Sequence, residues 1–281
     1  MHFLAREPER FPYQYPDHLR PYLEQLPRAA GVYYFHGDNP TVPLYIGKSV
    51  NIRTRVMNHL RTPEEARMLA QARAITHVRT AGDLGAQLLE AQQIKKLQPL
   101  FNKKLRRLKR LCSISLDLAG IRFVFSNDPD FRIRTPLFGL FGSKVRAVEA
   151  LRTLADEHSL CYARLGIERV VGGRPCFRSS LGFCHGVCQG LEEGAAHDQR
   201  LRQALGVLEV AQWPYAGAVA IEERDAQIRQ LHVVDRWRYC GSAANLRGAR
   251  KITLTEPEFD RDDYFILAKP LLAGLLRVRP L

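Results

Sequence analysis

Gly31-Val32-Tyr33-Tyr34-Phe35, Gly37-Asp38-Asn39-Pro40 and Leu44-Tyr45-Ile46-Gly47-Lys48 follow one another in this 281-residue chain, and their reading decides the fold. β-branched and aromatic residues alternate from Ala30 to Phe35. The Gly-Asp-Asn-Pro run turns the chain, and Val42 to Ile46 reads as the return strand of a hairpin. After Gly47 the period changes, with Ile52, Val56 and Leu60 at helical spacing. Arg55 and His59 lie one turn apart and so share a face of that helix. Ile75 to Arg79 reads as a third strand. Gly82-Asp83 then opens a second helix running to about Leu97, which Pro99 ends.

These elements bring chemistry together. Tyr33 and Tyr45 sit on paired strands, and Lys48 follows Gly47 directly. Glu90 shares a helix sector with Ala86, Ile94 and Leu97, a costly place for a carboxylate unless it is paired or holds a metal. Phosphodiester cleavage uses these residue types. A divalent cation held by a carboxylate stabilises developing charge, an arginine clamps nonbridging oxygens, and a base takes the proton of the attacking water. Tyrosine ionises near pH ~10, so a neighbouring cation must assist it, and Lys48 is expected to do so. The plain alternative is two core tyrosines on a hairpin and a chance glutamate.

The order Gly31-Val32-Tyr33, Tyr45-Ile46-Gly47-Lys48, Arg55, Glu90 and Asn102 resembles the GIY-YIG nuclease family. The resemblance implies that Glu90 binds Mg2+ or Mn2+, that Arg55 clamps phosphate, that Tyr33 or Tyr45 activates water, and that Asn102 orients nearby groups. His59 stands where the UvrC branch commonly has tyrosine and homing-type members have histidine.

Composition fits a nucleic-acid partner. The formal net charge is +13, which favours a polyanion. Eight basic residues fall in the sixteen from Lys95 to Arg110: Lys95, Lys96, Lys103, Lys104, Arg106, Arg107, Lys109 and Arg110. They directly follow the helix of Glu90 and are expected to track DNA phosphates, with Lys144 and Arg146 extending the track. A solvated face is the alternative. Met1 to Pro16 does not read as a signal peptide. No stretch approaches the ~20 apolar residues of a membrane span; the expectation is a cytoplasmic protein with no membrane partner and reduced cysteines.

Four of the six cysteines, Cys161, Cys176, Cys184 and Cys188, fall within 28 residues, separated by fourteen, seven and three residues. Structural zinc prefers tight pairs, and only Cys184 and Cys188 make one. The wider intervals suit a [4Fe–4S] cluster; His185 keeps zinc as the alternative. Cys112 and Cys240 read as packing residues. Pro136-Leu137-Phe138-Gly139, Leu160-Cys161, Arg174-Pro175-Cys176 and Gly182-Phe183-Cys184 with Gly186-Val187-Cys188 resemble the segment after the nuclease domain of UvrC-type excinucleases, which carry an iron–sulfur cluster at such cysteines. Trp213-Pro214-Tyr215, Gly217 and Trp237 resemble the C-terminal part of a shorter branch of that family.

The expected fold is α+β: an N-terminal segment (1–27), a nuclease domain of mixed sheet and helices (28–110), a linker region with the cysteine-ligated metal module (111–192) and a small C-terminal domain (193–281). Candidate strands lie near Ser113–Leu118 and Ile121–Phe125 and a helix near Ser143–Ala155. Glu192 to Ala196 is the expected soft spot. The last part should be a small sheet closed by a Leu267–Leu276 helix, with Glu222, Glu223, Asp225, Asp235 and Asp263 largely on a solvated surface. The resemblance implies one metal-dependent cut 3′ to a lesion in UvrB-loaded, damaged double-stranded DNA. Two other classes fit the same residues: a sequence-specific enzyme of homing or restriction type, and a non-catalytic redox-sensing nucleic-acid binder.

Overall fold

The computed structural model describes residues 13–103, 105, 110–117, 120–128, 131, 136–171, 174–252 and 259–281. The chain divides into two compact units of mixed α and β structure, Met1–Leu108 with Tyr215–Leu281, and Lys109–Pro214. The segment from Tyr215 thus joins the nuclease-bearing unit.

In the first unit β1 (Gly31–His36) lies between β2 (Pro43–Ser49) and β3 (Ala74–Arg79), antiparallel to both. As the central strand it is buried on both faces, so period two sends its residues to two cores. Tyr33 and Phe35 pack with Ile52, Val56 and Leu60 of α2 (Ile52–Leu60), while Val32 and Tyr34 pack with Ile94 of α4 (Asp83–Leu97). Ile52, Val56 and Leu60 are wholly buried, each contributing about 1.5–3 kcal/mol by leaving water. Asn51 caps α2 by accepting from Thr54 N at 3.1 Å, which fixes where the helix starts and hence where Arg55 and His59 fall. Short helices α1 (Arg20–Gln25) and α3 (Ala66–Gln71) belong to the same layer. Gln98 turns left-handed (φ 51) to end α4 before Pro99.

The C-terminal part of this unit is a sheet of order β10-β7-β8-β9, built from β7 (Val219–Arg224), β8 (Arg229–Asp235), β9 (Arg238–Ala243) and β10 (Arg277–Pro280). The closing helix is Arg261–Leu272 instead of the expected Leu267–Leu276. Asp260 starts it early by accepting from Asp262 N at 2.9 Å and Asp263 N at 3.4 Å, and Arg277 onward leaves to pair with β7.

In the second unit β4 (Cys112–Asp117) lies between β5 (Gly120–Phe125) and β6 (Leu137–Phe141). The helices here are α5 (Lys144–His158), α6 (Phe177–Ser180) and α7 (Gly194–Gly206). In chain order, Leu246–Ala249 is then α8 and Arg261–Leu272 is α9. The core joins Cys112, Ile114, Phe138, Leu151, Leu160 and Leu201. The expected soft spot at 192–196 runs into a helix: Gly194 opens α7, and Glu192 pairs with Arg200 nearly two turns into it.

Candidate active site

The hairpin and α2 gather three rings. The Tyr33 and Tyr45 ring centroids are 6.3 Å apart, and His59 is 5.4 Å from each. Gly47 makes this possible, because a Cβ there would lie 2.3 Å from the Tyr33 hydroxyl oxygen. The motif glycine is therefore the space through which Tyr33 crosses the neighbouring strand. The Tyr33 hydroxyl meets His59 Nε2 at 2.6 Å, and His59 Nδ1 contacts the carboxylate of Glu65 in the turn after α2. Glu65 was not expected. Thr62-Pro63-Glu64-Glu65 reads as ordinary first-turn acidity of a following helix, and only the fold brings its second carboxylate back to His59.

Electrostatics separates the two tyrosines by exposure. Tyr33 is fully enclosed, and burial, then the neighbouring Tyr45, holds its hydroxyl far above the ordinary value, with Arg55 beside it opposing. Tyr45 is only half-buried; its pKa is raised by burial and by Glu90 and Glu65, against Arg55 and the Tyr33 hydroxyl. Burial lifts Glu90 to about 7, partly offset by the Lys48 backbone N–H, which donates to Oε1 at 3.1 Å. Glu90 forms no ion pair among the described residues.

The expected role of Lys48 is corrected. Its ammonium donates to both oxygens of Asp83, at 2.8 and 3.1 Å, because Asp83 begins α4 directly opposite the end of β2. Arg55 supplies the cation at the tyrosines. Asn102 acts on the backbone: Ile46 N donates to Oδ1 at 2.9 Å and Nδ2 donates to Ile46 O at 2.8 Å, locking β2 next to Tyr45.

The helix carrying Glu90 is held at one end by the C-terminal sheet and at the other by the start of the closing helix. Gly82 caps α4 without a side chain; instead Glu223 of β7 accepts from Leu84 N at 3.0 Å and Gly85 N at 2.9 Å. A Cβ at Gly82 or Gly85 would strike Glu223 or His232, so small residues admit the carboxylate. His232 is buried and meets Glu223 at 3.0 Å. At the other end Lys95 pairs with Asp260 and Asp262 at 2.6 and 3.0 Å. Lys95 is thereby withdrawn from the expected DNA track, because a buried Asp260 claims its charge. The expectation of a solvated acidic surface is likewise corrected for Asp235 and Asp263, which are buried, and for Glu223. Lys96 and Lys103 are exposed. Arg110 lies over the Phe125 ring at 4.1 Å and Lys144 over Phe123 at 4.9 Å. Lys104, Arg106, Arg107 and Lys109 lie outside the described residues.

In the second unit the Cys161, Cys176 and Cys188 sulfurs lie within 4.8 Å of one another, with Cys161 and Cys176 at 3.5 Å. Cys184 is not in this group. His185 pairs with Glu192 at 3.4 Å and is not in this group either. Burial pushes Cys161 up to about 12. Burial also opposes a Cys176 thiolate, but the backbone N–H groups of Ser179 and Ala163 together with hydrogen bonds from the Cys161 and Cys188 thiols bring the group down to about 7. Two supports were missed. His197 is fully buried and accepts from Cys161 N at 3.1 Å. Arg178 donates to the carbonyls of Leu160, Ala155 and Phe183 at 3.0, 2.8 and 2.7 Å and pairs with Asp156, tying α6 to the start of the cysteine loop. A buried arginine in a short helix carries no periodicity that would announce it.

Comparison with known proteins completes the picture. Residues 29–103 match the family model of the UvrC-like GIY-YIG domain, 111–207 that of the UvrC/Cho excinuclease middle domain, and 218–281 that of the excinuclease Cho C-terminal domain. Excinuclease Cho of Escherichia coli K12 is 50% identical over 93% of this chain and 89% of that protein. The chain belongs to the Cho excinuclease family. It is a nuclease with a GIY-YIG endonuclease domain, of the kind used in nucleotide excision repair. Excinuclease Cho of Salmonella typhimurium is 49% identical over the same shares, and the UvrABC system protein C of Haloquadratum walsbyi 29% over 80% of this chain and 40% of that protein. The magnesium-bound GIY-YIG domain of UvrC from Thermotoga maritima is 31% identical, covering 30% of this chain and 93% of its own, with a TM-score of 0.27.

Proposed function

We propose that the protein makes a single metal-dependent incision 3′ to a lesion in DNA already carrying UvrB. The observation that carries the metal-dependent step is Glu90, a largely enclosed carboxylate beside Arg55 and the tyrosine pair, lifted to about 7 and with no cation partner among the described residues. Such a group is poised for Mg2+ or Mn2+, which is commonly bound through one or two carboxylates plus substrate phosphate. When bound, the ion supplies charge stabilisation at the phosphate. The chain's own residues do the rest. Arg55 clamps a phosphate oxygen, the Tyr33–Tyr45 pair takes the proton of the attacking water, and Asn102 and the Lys48 backbone fix the strand that presents Tyr45. Lys96, Lys103 and Arg110 contact flanking phosphates.

Cys161, Cys176, Cys184 and Cys188 are proposed to bind a [4Fe–4S] cluster. The juxtaposed thiols and the low Cys176 pKa support a thiolate-held group; a single zinc is the competing occupant, favoured by how tightly three of the sulfurs converge. End-labelled lesion-bearing duplexes, incubated with and without UvrB, test the function: one 3′ cut that depends on UvrB and on metal is expected. Cutting of undamaged DNA by the protein alone, or cuts on both sides of the lesion, would overturn it.

A further inference from the structure

The contacts around His59 have a direction. At one end stands Arg55, whose guanidinium can only donate; at the other stands Glu65, whose carboxylate can only accept. Between them lie the Tyr33 hydroxyl and the His59 imidazole, joined at 2.6 Å. Glu65 contacts Nδ1, so this nitrogen carries the proton. Nε2 then presents a lone pair and receives the Tyr33 proton. The Tyr33 oxygen is left as an acceptor facing Arg55, the cation that opposes its raised pKa. With the other tautomer Nδ1 would turn a lone pair toward the Glu65 carboxylate, acceptor against acceptor. His59 is 3% exposed, so its ring has little water to turn to instead. Phe35, Tyr33 and Tyr45 enclose the rest of the ring.

We propose that Glu65 is a positioning residue of the nuclease site: it holds His59 in the Nδ1-protonated form, and through His59 it fixes the Tyr33 hydroxyl and the seat of Arg55. The inference rests on the nuclease reading of this site. Glu65 does not touch substrate, and its side chain remains about one-third exposed at the rim.

The decisive variant is Glu65→Gln, which keeps the shape of the side chain. An amide can offer Nδ1 either a donor or an acceptor, so it no longer enforces one tautomer. Turnover should fall about 10- to 100-fold, the usual cost of losing an orienting partner behind an active imidazole, while KM for DNA and the Mg2+ requirement stay unchanged. Glu65→Asp should recover part of the loss, and the exposed neighbour variant Glu64→Gln should cut at the wild-type rate. Nitrogen-15 NMR of imidazole-labelled protein should show His59 protonated at Nδ1 in the wild type and as a tautomer mixture in Glu65→Gln. A wild-type His59 protonated at Nε2, or full turnover by Glu65→Gln, overturns the proposal. If the wild type fails to cut DNA at all, the nuclease reading falls, and the nitrogen spectrum still decides the assignment of Glu65.

Discussion

The nuclease site and the cysteine module solve opposite problems. Around Tyr33 the functional groups stand on strands and on a helix capped by Asn51, and the middle of the polar chain, Tyr33 and His59, is buried while Arg55 and Glu65 reach the surface at its two ends. Around Cys161 the groups stand largely on irregular backbone, the thiols touch one another, and Arg178 and His197 hold the loop by its carbonyls and N–H groups. The first site is preorganised before any ion arrives. The second is an assembly of thiols that could hold a metal, and a metal bound there would couple to the folding of the module.

The largest expected effect separates chemistry from scaffold. Glu90→Gln should lower incision by about 10²–10³-fold, the range set by loss of a charge-stabilising group, with DNA binding and melting temperature nearly unchanged; normal cutting in Mg2+ would remove Glu90 from the site. The cysteine module should behave in reverse. Cys176→Ser should strip the bound metal and lower the stability of the second unit, seen as loss of about four irons and four sulfides per chain and an earlier thermal transition. One zinc and no sulfide in the wild-type protein would refute the cluster.

Asp260→Asn gives a smaller, purely structural effect. It leaves Lys95 partly uncompensated in a site where the lysine is 14% and the aspartate 3% exposed, and should cost up to about 3–5 kcal/mol in urea unfolding. An unchanged midpoint would show that the pair is replaceable.

The pH dependence follows from Glu90. Its folded pKa is raised to about 7, so between the ordinary glutamate value and 7 the folded protein holds a proton that the unfolded chain has released. Stability from this group therefore falls as pH rises through that window. Metal must displace the same proton, so the half-saturating Mg2+ concentration should rise as pH drops below 7, approaching about tenfold per unit; a flat profile from pH 8 to 6 would exclude Glu90 as the ligand. The smallest effect concerns the basic run. Lys96→Ala with Lys103→Ala should flatten the log–log salt slope of DNA binding by up to about 2, and Lys95→Ala alone should leave it unaltered, because its charge already belongs to Asp260.

The elements that carry the candidate nuclease site were legible because they have a clear period. The hairpin, the 52-56-60 stripe and the Gly82-to-Pro99 helix were each expected near where they occur. What sequence spacing could not reveal was which charge meets which. Lys48 looked free for a tyrosine until the fold placed Asp83 opposite it, and Lys95 looked like one more member of a basic run until Asp260 arrived from 165 residues away. Glu65 and Glu223 stayed hidden for the same reason, since a carboxylate aimed at one imidazole or one helix end leaves no repeating pattern. In the cysteine module three of the four expected sulfurs converge, but Arg178 and His197, which support them, belong to no spacing rule.

The cap that Glu223 places on α4 has a consequence for how the protein is made. Leu84 and Gly85 leave the ribosome about 138 residues before the carboxylate that accepts their N–H groups, and the partner of Lys95 comes later still. During synthesis the helix of Glu90 therefore spends the whole emergence of the second unit without this cap on its amino end. A growing chain stopped before Tyr215 would carry every nuclease motif residue and still lack the groups that seat Glu90. Translation order thus brings the groups that seat this helix only after every nuclease motif residue has been made.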